Sequence, residues 1–92
     1  MPSDAVLKVK VMSPTQTHYD GTAVAVSAVN RVGPFDILAN HANFFSLLSP
    51  GTIKINSGQR TIEVPITQGI LKVTHNVVTL FVDIEPTTAP RS

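Results

Sequence analysis

A chain of 92 residues is long enough for one small domain. Its formal net charge is only +1, whereas a nucleic-acid-binding protein would carry a basic surface. It contains no cysteine, which excludes a disulfide framework and a cysteine-ligated zinc site and fits a reducing compartment. No apolar run approaches the roughly 20 residues that cross a bilayer, and the N-terminal Met1-Pro2-Ser3-Asp4 lacks the basic region of a signal peptide. We therefore expect a protein that is soluble and not exported.

The first third of the chain predicts short strands, because it is rich in Val and Thr and alternates apolar with polar residues. Residues 7–12 alternate with a period of two, which is typical of a half-buried strand, and Ser13-Pro14-Thr15 ends that strand. Asp20-Gly21 predicts a turn after a short extended piece. Residues 22–29 then predict one strand, with Val24 and Val26 on one face and small residues on the other.

The central stretch, residues 33–48, holds most of the aromatic side chains. Gly33-Pro34 predicts a turn, residues 35–38 begin a strand, and residues 40–43 are polar residues suited to a tight reversal. A second strand follows from Phe44 to Leu48. In a regular strand Phe44 and Phe45 point to opposite faces, so one of them meets solvent or a partner; a bulge would instead turn both inward.

The last half of the chain predicts further strands between turns at residues 49–51, 57–59 and 75–76. Pro65 marks an edge strand or a bulge within residues 61–66, Gln68-Gly69 interrupts the following strand, and the nearly continuous apolar residues 77–82 are typical of a central strand. Residues 85–92 are rich in Pro and Thr and predict a disordered tail after a domain at residues 1–84. Because no window shows a 3.6-residue period, the sequence predicts an all-β, antiparallel sandwich or barrel.

Residues that could carry chemistry are sparse. None of the three histidines has a second ligand at metal-binding spacing, and no phosphate-binding glycine motif is present. Asp36 and His41 form the only pair close enough to interact, and a hydrogen-bonded turn histidine is the simpler interpretation. The sequence thus predicts neither an enzyme nor a cofactor, metal or small-molecule site.

An ordered set of short motifs resembles the N-terminal β-sandwich domain of the epsilon subunit of F-type ATP synthases over residues 6–84. In chain order the set is Leu7, Val9 and Val11 before Ser13-Pro14; Tyr19 and Gly21; Gly33, Ile37, Leu38, His41, Ala42 and Phe44-Phe45; Pro50-Gly51; residues 69–73; and residues 76–81. The chain departs from the family pattern where Pro34, Asp36, Ala39 and Gln68 replace an acidic residue, a glycine, a proline and a glycine. It also ends without the family's usual two-helix C-terminal domain, as either a naturally short or a truncated form.

The resemblance implies an antiparallel sandwich of about eight to ten short strands that serves as a non-catalytic part of the rotor. It implies two partners, the gamma subunit and the c-subunit ring, through which ion-driven rotation is passed on during ATP synthesis. It also implies a position on the cytoplasmic side of the inner (plasma) membrane of a bacterium, with only indirect membrane contact. The rival interpretation is a free-standing β-sandwich binding module with the same fold. The predicted contact residues are Arg31, Pro34, Phe35, Asp36, Asn40, His41, Phe44 and Phe45.

Overall fold

The computed structural model describes residues 6–84, and this part of the chain is built from nine strands. It contains no helix that could span a membrane. In chain order the strands are β1 (Leu7–Met12), β2 (Thr17–Ala23), β3 (Ala25–Asn30), β4 (Gly33–Leu38), β5 (Phe44–Leu48), β6 (Gly51–Asn56), β7 (Thr61–Ile66), β8 (Gln68–Thr74) and β9 (Val77–Asp83).

The strands form two sheets that pack face to face. The five-stranded sheet has the order β2-β1-β9-β8-β5 and the four-stranded sheet the order β4-β3-β6-β7. Neighbouring strands are antiparallel except β1 and β9, which run parallel. That pair joins the two ends of the domain, so no hairpin turn dictates its direction. The predicted β-sandwich is confirmed.

The core lies between the two sheets and is almost wholly aliphatic. Along each strand every second side chain points into the core and is buried. Burial of one large aliphatic side chain contributes on the order of 1.5–3 kcal/mol through its removal from water. Residues at most 1% exposed are Leu7, Val11, Ala23, Val26, Ile37, Ile53, Ile55, Leu71, Val73, Val78 and Leu80.

The turn predicted at Asp20-Gly21 is wrong, because both residues lie inside β2 opposite Lys10 and Val9. The Tyr19 ring lies over Gly21, since a Cβ built on Gly21 would be 3.4 Å from the Tyr19 hydroxyl. The single strand predicted over residues 22–29 is also wrong. These residues belong to two strands, β2 and β3, and the chain bends between them at Val24, where it passes from the five-stranded to the four-stranded sheet.

Three other features differ from the predictions, and at two of them the chain again changes sheet. The interruption predicted at Gln68-Gly69 falls instead at Thr67, where the chain crosses back to the five-stranded sheet. The turn predicted at Gly33-Pro34 falls at residues 31–32, and residues 39–43 connect the two sheets rather than forming a hairpin.

Two predictions from local turn or edge chemistry, at His75-Asn76 and at Pro65, are confirmed. His75 and Asn76 both have positive φ (49° and 64°) and form the two-residue turn between β8 and β9. Pro65 lies in β7, an edge strand of the four-stranded sheet, as its missing N–H requires. The predicted tail at residues 85–92 lies outside the described residues.

Candidate protein-docking surfaces

Three of the predicted contact residues meet at one margin of the sandwich. The ring centroids of Phe35 and Phe44 are 5.6 Å apart, and the His41 ring lies edge-on to Phe44 at 5.5 Å. His41 Nδ1 is 2.7 Å from the carbonyl oxygen of Ala42. Phe35 and Phe44 are half-buried and pack against the core, so this cluster joins β4, the 39–43 loop and β5.

The hydrogen-bond partner of Asp36 is Ser27 and not His41. Asp36 Oδ1 accepts a hydrogen bond of 2.6 Å from the Ser27 hydroxyl on the adjacent strand. Both side chains lie on the outward face of the four-stranded sheet, since the flanking Ile37 is buried in the core. Within residues 6–84, no three His, Cys, Asp or Glu side chains are grouped so that they could hold a metal ion.

Arg31 lies at the tip of the β3–β4 hairpin, which is held by Asn30. The Asn30 Oδ1 accepts hydrogen bonds from the backbone N–H groups of Val32 (2.9 Å) and Gly33 (3.2 Å). Its Nδ2 donates to the Ser46 hydroxyl on β5 at 3.1 Å, which ties the tip to the other sheet. Arg31 is exposed and Val32 is 96% exposed, so the tip presents a cation and a bare apolar side chain on a fixed turn.

The predicted contact residues therefore form two groups rather than one surface. Arg31 lines a shallow depression together with Phe45, at one end of β4. Asn40 and His41 follow the other end of β4, roughly 20 Å away for a strand of this length. There the backbone N–H of Asn40 donates to Asn76 Oδ1 at 2.6 Å, which holds the loop to the β8–β9 turn.

Phe44 and Phe45 point to opposite faces, which decides between the two alternatives left by the sequence. Phe44 packs against the core, whereas Phe45 is 62% exposed on the outer face of the five-stranded sheet. A bulge that turns both rings inward is excluded, because β5 pairs with β8 in regular register from Phe44 to Leu48.

The largest feature of that outer face was missed by the sequence reasoning. The register places Met12 beside Phe81, Phe81 beside Ile70, and Ile70 beside Leu47, in one row across four adjacent strands. We call these four residues the apolar strip. Phe81 is 55%, Leu47 62% and Ile70 38% exposed, and Met12 is half-buried. The sequence did carry a signal for it. In residues 44–48 and 77–82 apolar residues stand at both odd and even positions, so both faces of these strands carry apolar side chains.

This arrangement is suited to binding a protein surface. An apolar row on a flat sheet face excludes water only when another surface covers it, and such rows mark interaction sites when they are contiguous. The hairpin tip adds a fixed projection beside the strip, which carries the Arg31 cation and the exposed Val32 side chain.

The residues from 6 to 85 match the family model described as the ATP synthase delta/epsilon chain, beta-sandwich domain. The chain belongs to this family. The match covers every strand of the structure, and the family's sandwich is the fold that the strands adopt.

Curated relatives in the family are named ATP synthase epsilon chain. One from Francisella tularensis subsp. holarctica is 35% identical over 77 residues, which are 84% of this chain and 53% of the relative. One from Frankia casuarinae is 31% identical over 78 residues, which are 84% of this chain and 92% of the relative. The chain thus spans about half the length of the Francisella epsilon chain and nearly all of the Frankia one.

Solved structures with the same fold come from mitochondrial ATP synthases. A chain of the Tetrahymena thermophila central stalk and c-ring superposes with a TM-score of 0.72 over 84% of this chain and 63% of its own length. A chain of the Euglena gracilis F1/c-ring assembly gives 0.77 over 83% of this chain and 49% of its own. Both are 18% identical, so this likeness establishes the fold alone.

Proposed function

We propose that this chain is a non-catalytic central-stalk subunit of an F-type ATP synthase, which joins the gamma subunit to the c-subunit ring and passes on rotation. Its family, the names of its curated relatives and the stalk assemblies that share its fold support this proposal. The role needs stiffness rather than a reactive group. A close-packed sandwich of β-branched side chains deforms little and transmits strain.

The observation that carries the proposal is the apolar strip. A subunit held permanently in a rotor needs a joint that stays closed under load, and burial of apolar side chains is the dominant favourable term in most protein association. Phe81 and Leu47, both more than half exposed, are the large side chains whose burial such a joint would gain. We assign the strip, with Phe45 at its edge, to the gamma subunit.

The second partner, the ring, would meet the β3–β4 hairpin tip and the exposed side of β4. Arg31, Pro34 and Asp36 are exposed there, and the charged side chains of Arg31 and Asp36 suit the polar loops expected of a membrane ring. Asn40 and His41, at the opposite end of β4, remain proposed contacts, while the half-buried Phe35 and Phe44 would hold that margin in place. In this arrangement the subunit would occupy a peripheral stalk position on the cytoplasmic side of a bacterial plasma membrane.

The proposal is tested by changing one outer face at a time. Phe81→Ser and Leu47→Ser remove large apolar side chains from the strip, and Leu38→Ser serves as the control, since Leu38 is 55% exposed on the outer face of the other sheet, as Phe81 is on its own. We expect each strip variant to weaken binding of the gamma subunit from the same synthase by at least roughly tenfold. The control should stay within about twofold of the wild type.

The measurement is a binding isotherm with purified gamma subunit, with circular dichroism to confirm that each variant is folded. Wild-type affinity retained by the folded strip variants would reject the assignment of the strip to gamma. No binding of gamma by the wild-type chain would reject the stalk role itself and favour the free-standing binding module. For the ring, Arg31→Glu and His41→Ala should reduce recovery of the ring with the gamma-bound chain.

A further inference from the structure

The row of residues next to the apolar strip on the same outer face is cationic. Lys10 on β1 and Lys72 on β8 both pair with Thr79 on the strand between them, so the three side chains form one row across the sheet. Both lysines are exposed. Asp20, on the edge strand β2, lies opposite Lys10 and is the acidic residue at the end of this row.

The opposite border of the strip has a different character. Asp83 is the last residue of β9, and its Oδ2 accepts a hydrogen bond of 2.7 Å from Gln68 Nε2 on β8. The strip therefore runs between a row with two lysines and a border where a carboxylate is already paired with an amide. This asymmetry distinguishes the two ways in which a partner could lie across the strip.

The spacing of the lysines defines what a partner must present. Lys10 and Lys72 are two strands apart, which is about 10 Å, and their row lies about 7 Å along the strands from the apolar strip. A partner that covers the strip also removes water from the aliphatic stems of these lysines. Their ammonium groups then lie at the rim of the contact, where acceptors on the partner can pair with them.

We propose that the surface that covers the apolar strip carries an apolar line bordered, on the lysine side only, by two carboxylates about 10 Å apart that pair with Lys10 and Lys72. The inference rests on the proposed function, because that function makes the gamma subunit the covering surface. Paired charges at the rim contribute orientation and association rate more than total affinity, so the lysine row fixes which way gamma lies on the strip.

A protein surface fits these features better than an anionic membrane does. Asp83 lies on the same outer face, across the strip from the lysines, and would be repelled by acidic headgroups that cover the whole face. The net charge of the whole chain is only +1, which gives little general attraction to a negative surface.

The test compares two double charge reversals with the same change in net charge. Lys10→Glu with Lys72→Glu alters the lysine row, and Lys54→Glu with Arg60→Glu alters the other side of the sandwich. The two double variants are matched. In each of them one new glutamate lies opposite an existing acidic residue, since Lys10 lies opposite Asp20 and Lys54 opposite Glu63. Binding of purified gamma subunit is measured at low and at raised salt, after the fold of each variant is checked.

We expect the Lys10/Lys72 variant to bind gamma at least about tenfold more weakly at low salt, with a smaller loss at raised salt, and the Lys54/Arg60 variant to bind within about twofold of the wild type. Wild-type binding combined with unchanged affinity of the Lys10/Lys72 variant would overturn the inference and leave the stalk role standing. Absence of wild-type binding would overturn both. Binding of the wild type, but not of the Lys10/Lys72 variant, to phosphatidylglycerol vesicles without an effect on gamma would also overturn it.

Discussion

The two outer faces of this sandwich are built from strands of similar length but differ in what they present to solvent. On the four-stranded sheet one row across the face consists of Asp36, Ser27, Lys54 and Glu63. On the five-stranded sheet the corresponding feature is the apolar strip. The first face is what a free surface requires, whereas the second is stable in water only at a cost that a covering partner removes.

The difference arises from the side-chain pattern of single strands. In β6 the outward positions include Lys54 and Asn56, so apolar and polar residues alternate and only one face needs to be buried. In β5 and β9 the outward positions include Phe45, Leu47 and Phe81. The comparison shows that the apolar runs of β5 and β9 place large apolar side chains on both faces of the sheet, one covered by the fold and one exposed to solvent.

The largest expected effect separates the inner from the outer face of β9. Leu80 is fully buried and Phe81 is 55% exposed, although they are neighbours in sequence. Leu80→Ala should lower the free energy of unfolding by about 2–5 kcal/mol, because it removes core contacts and leaves a cavity. Phe81→Ala should lower it by about 1 kcal/mol or less, since the ring lies on the exposed outer face and its cross-strand neighbours there are Met12 and Ile70.

Urea unfolding of both variants measures this difference. A loss of stability with Phe81→Ala as large as with Leu80→Ala would mean that the Phe81 ring supports the monomer. The strip would then be a structural element rather than an interface.

A smaller loss of stability is expected from adding a methyl group to a glycine of the five-stranded sheet, compared with a glycine of the four-stranded sheet. A Cβ added to Gly69 in β8 would lie 2.9 Å from the backbone oxygen of Phe81 and 2.9 Å from a Val82 methyl, so Gly69→Ala should destabilise the fold by about 1–3 kcal/mol. Gly51 in β6 is the matched control, because its added Cβ would meet Val29 at an ordinary 3.4 Å. Thermal unfolding should show Gly51→Ala as neutral or slightly stabilising, and equal losses at both sites would contradict the packing argument.

Local chemistry in the sequence predicted two features of the fold, although it failed at Asp20-Gly21, which lies inside β2. The residues His75 and Asn76 adopt positive φ and are suited to a two-residue hairpin turn, and Pro65 cannot donate a ladder hydrogen bond, so both positions were predictable. Val24 and Thr67, where the chain changes sheet at a single residue, have no such signature, because the change is determined by packing against the opposite sheet.

The same limit applies to the candidate site. The resemblance to the family predicted contact residues between positions 31 and 45. Strand alternation predicted an exposed aromatic at Phe44 or Phe45, with an inward bulge as the alternative, and the structure assigns the exposure to Phe45. The apolar strip needed the register of four strands, since Met12, Leu47, Ile70 and Phe81 are distant in sequence and become neighbours only through pairing. Grouping Asp36 with His41 relied on closeness in sequence, whereas pairing with β3 gives Asp36 the Ser27 hydroxyl instead.

The smallest expected effect is on the polar face, at Asp36. Asp36→Ala removes an exposed carboxylate that accepts from Ser27, so it should lower stability by about 1 kcal/mol or less and leave gamma binding unchanged. If β4 faces the ring, ring recovery with the gamma-bound chain should fall by roughly two- to threefold, since single exposed charges contribute little. Asp36→Asn keeps the hydrogen-bond acceptor and separates loss of charge from loss of the Ser27 contact. A tenfold loss of gamma binding in either variant would show that the polar face also belongs to the gamma joint, and the contrast between the two faces would not hold.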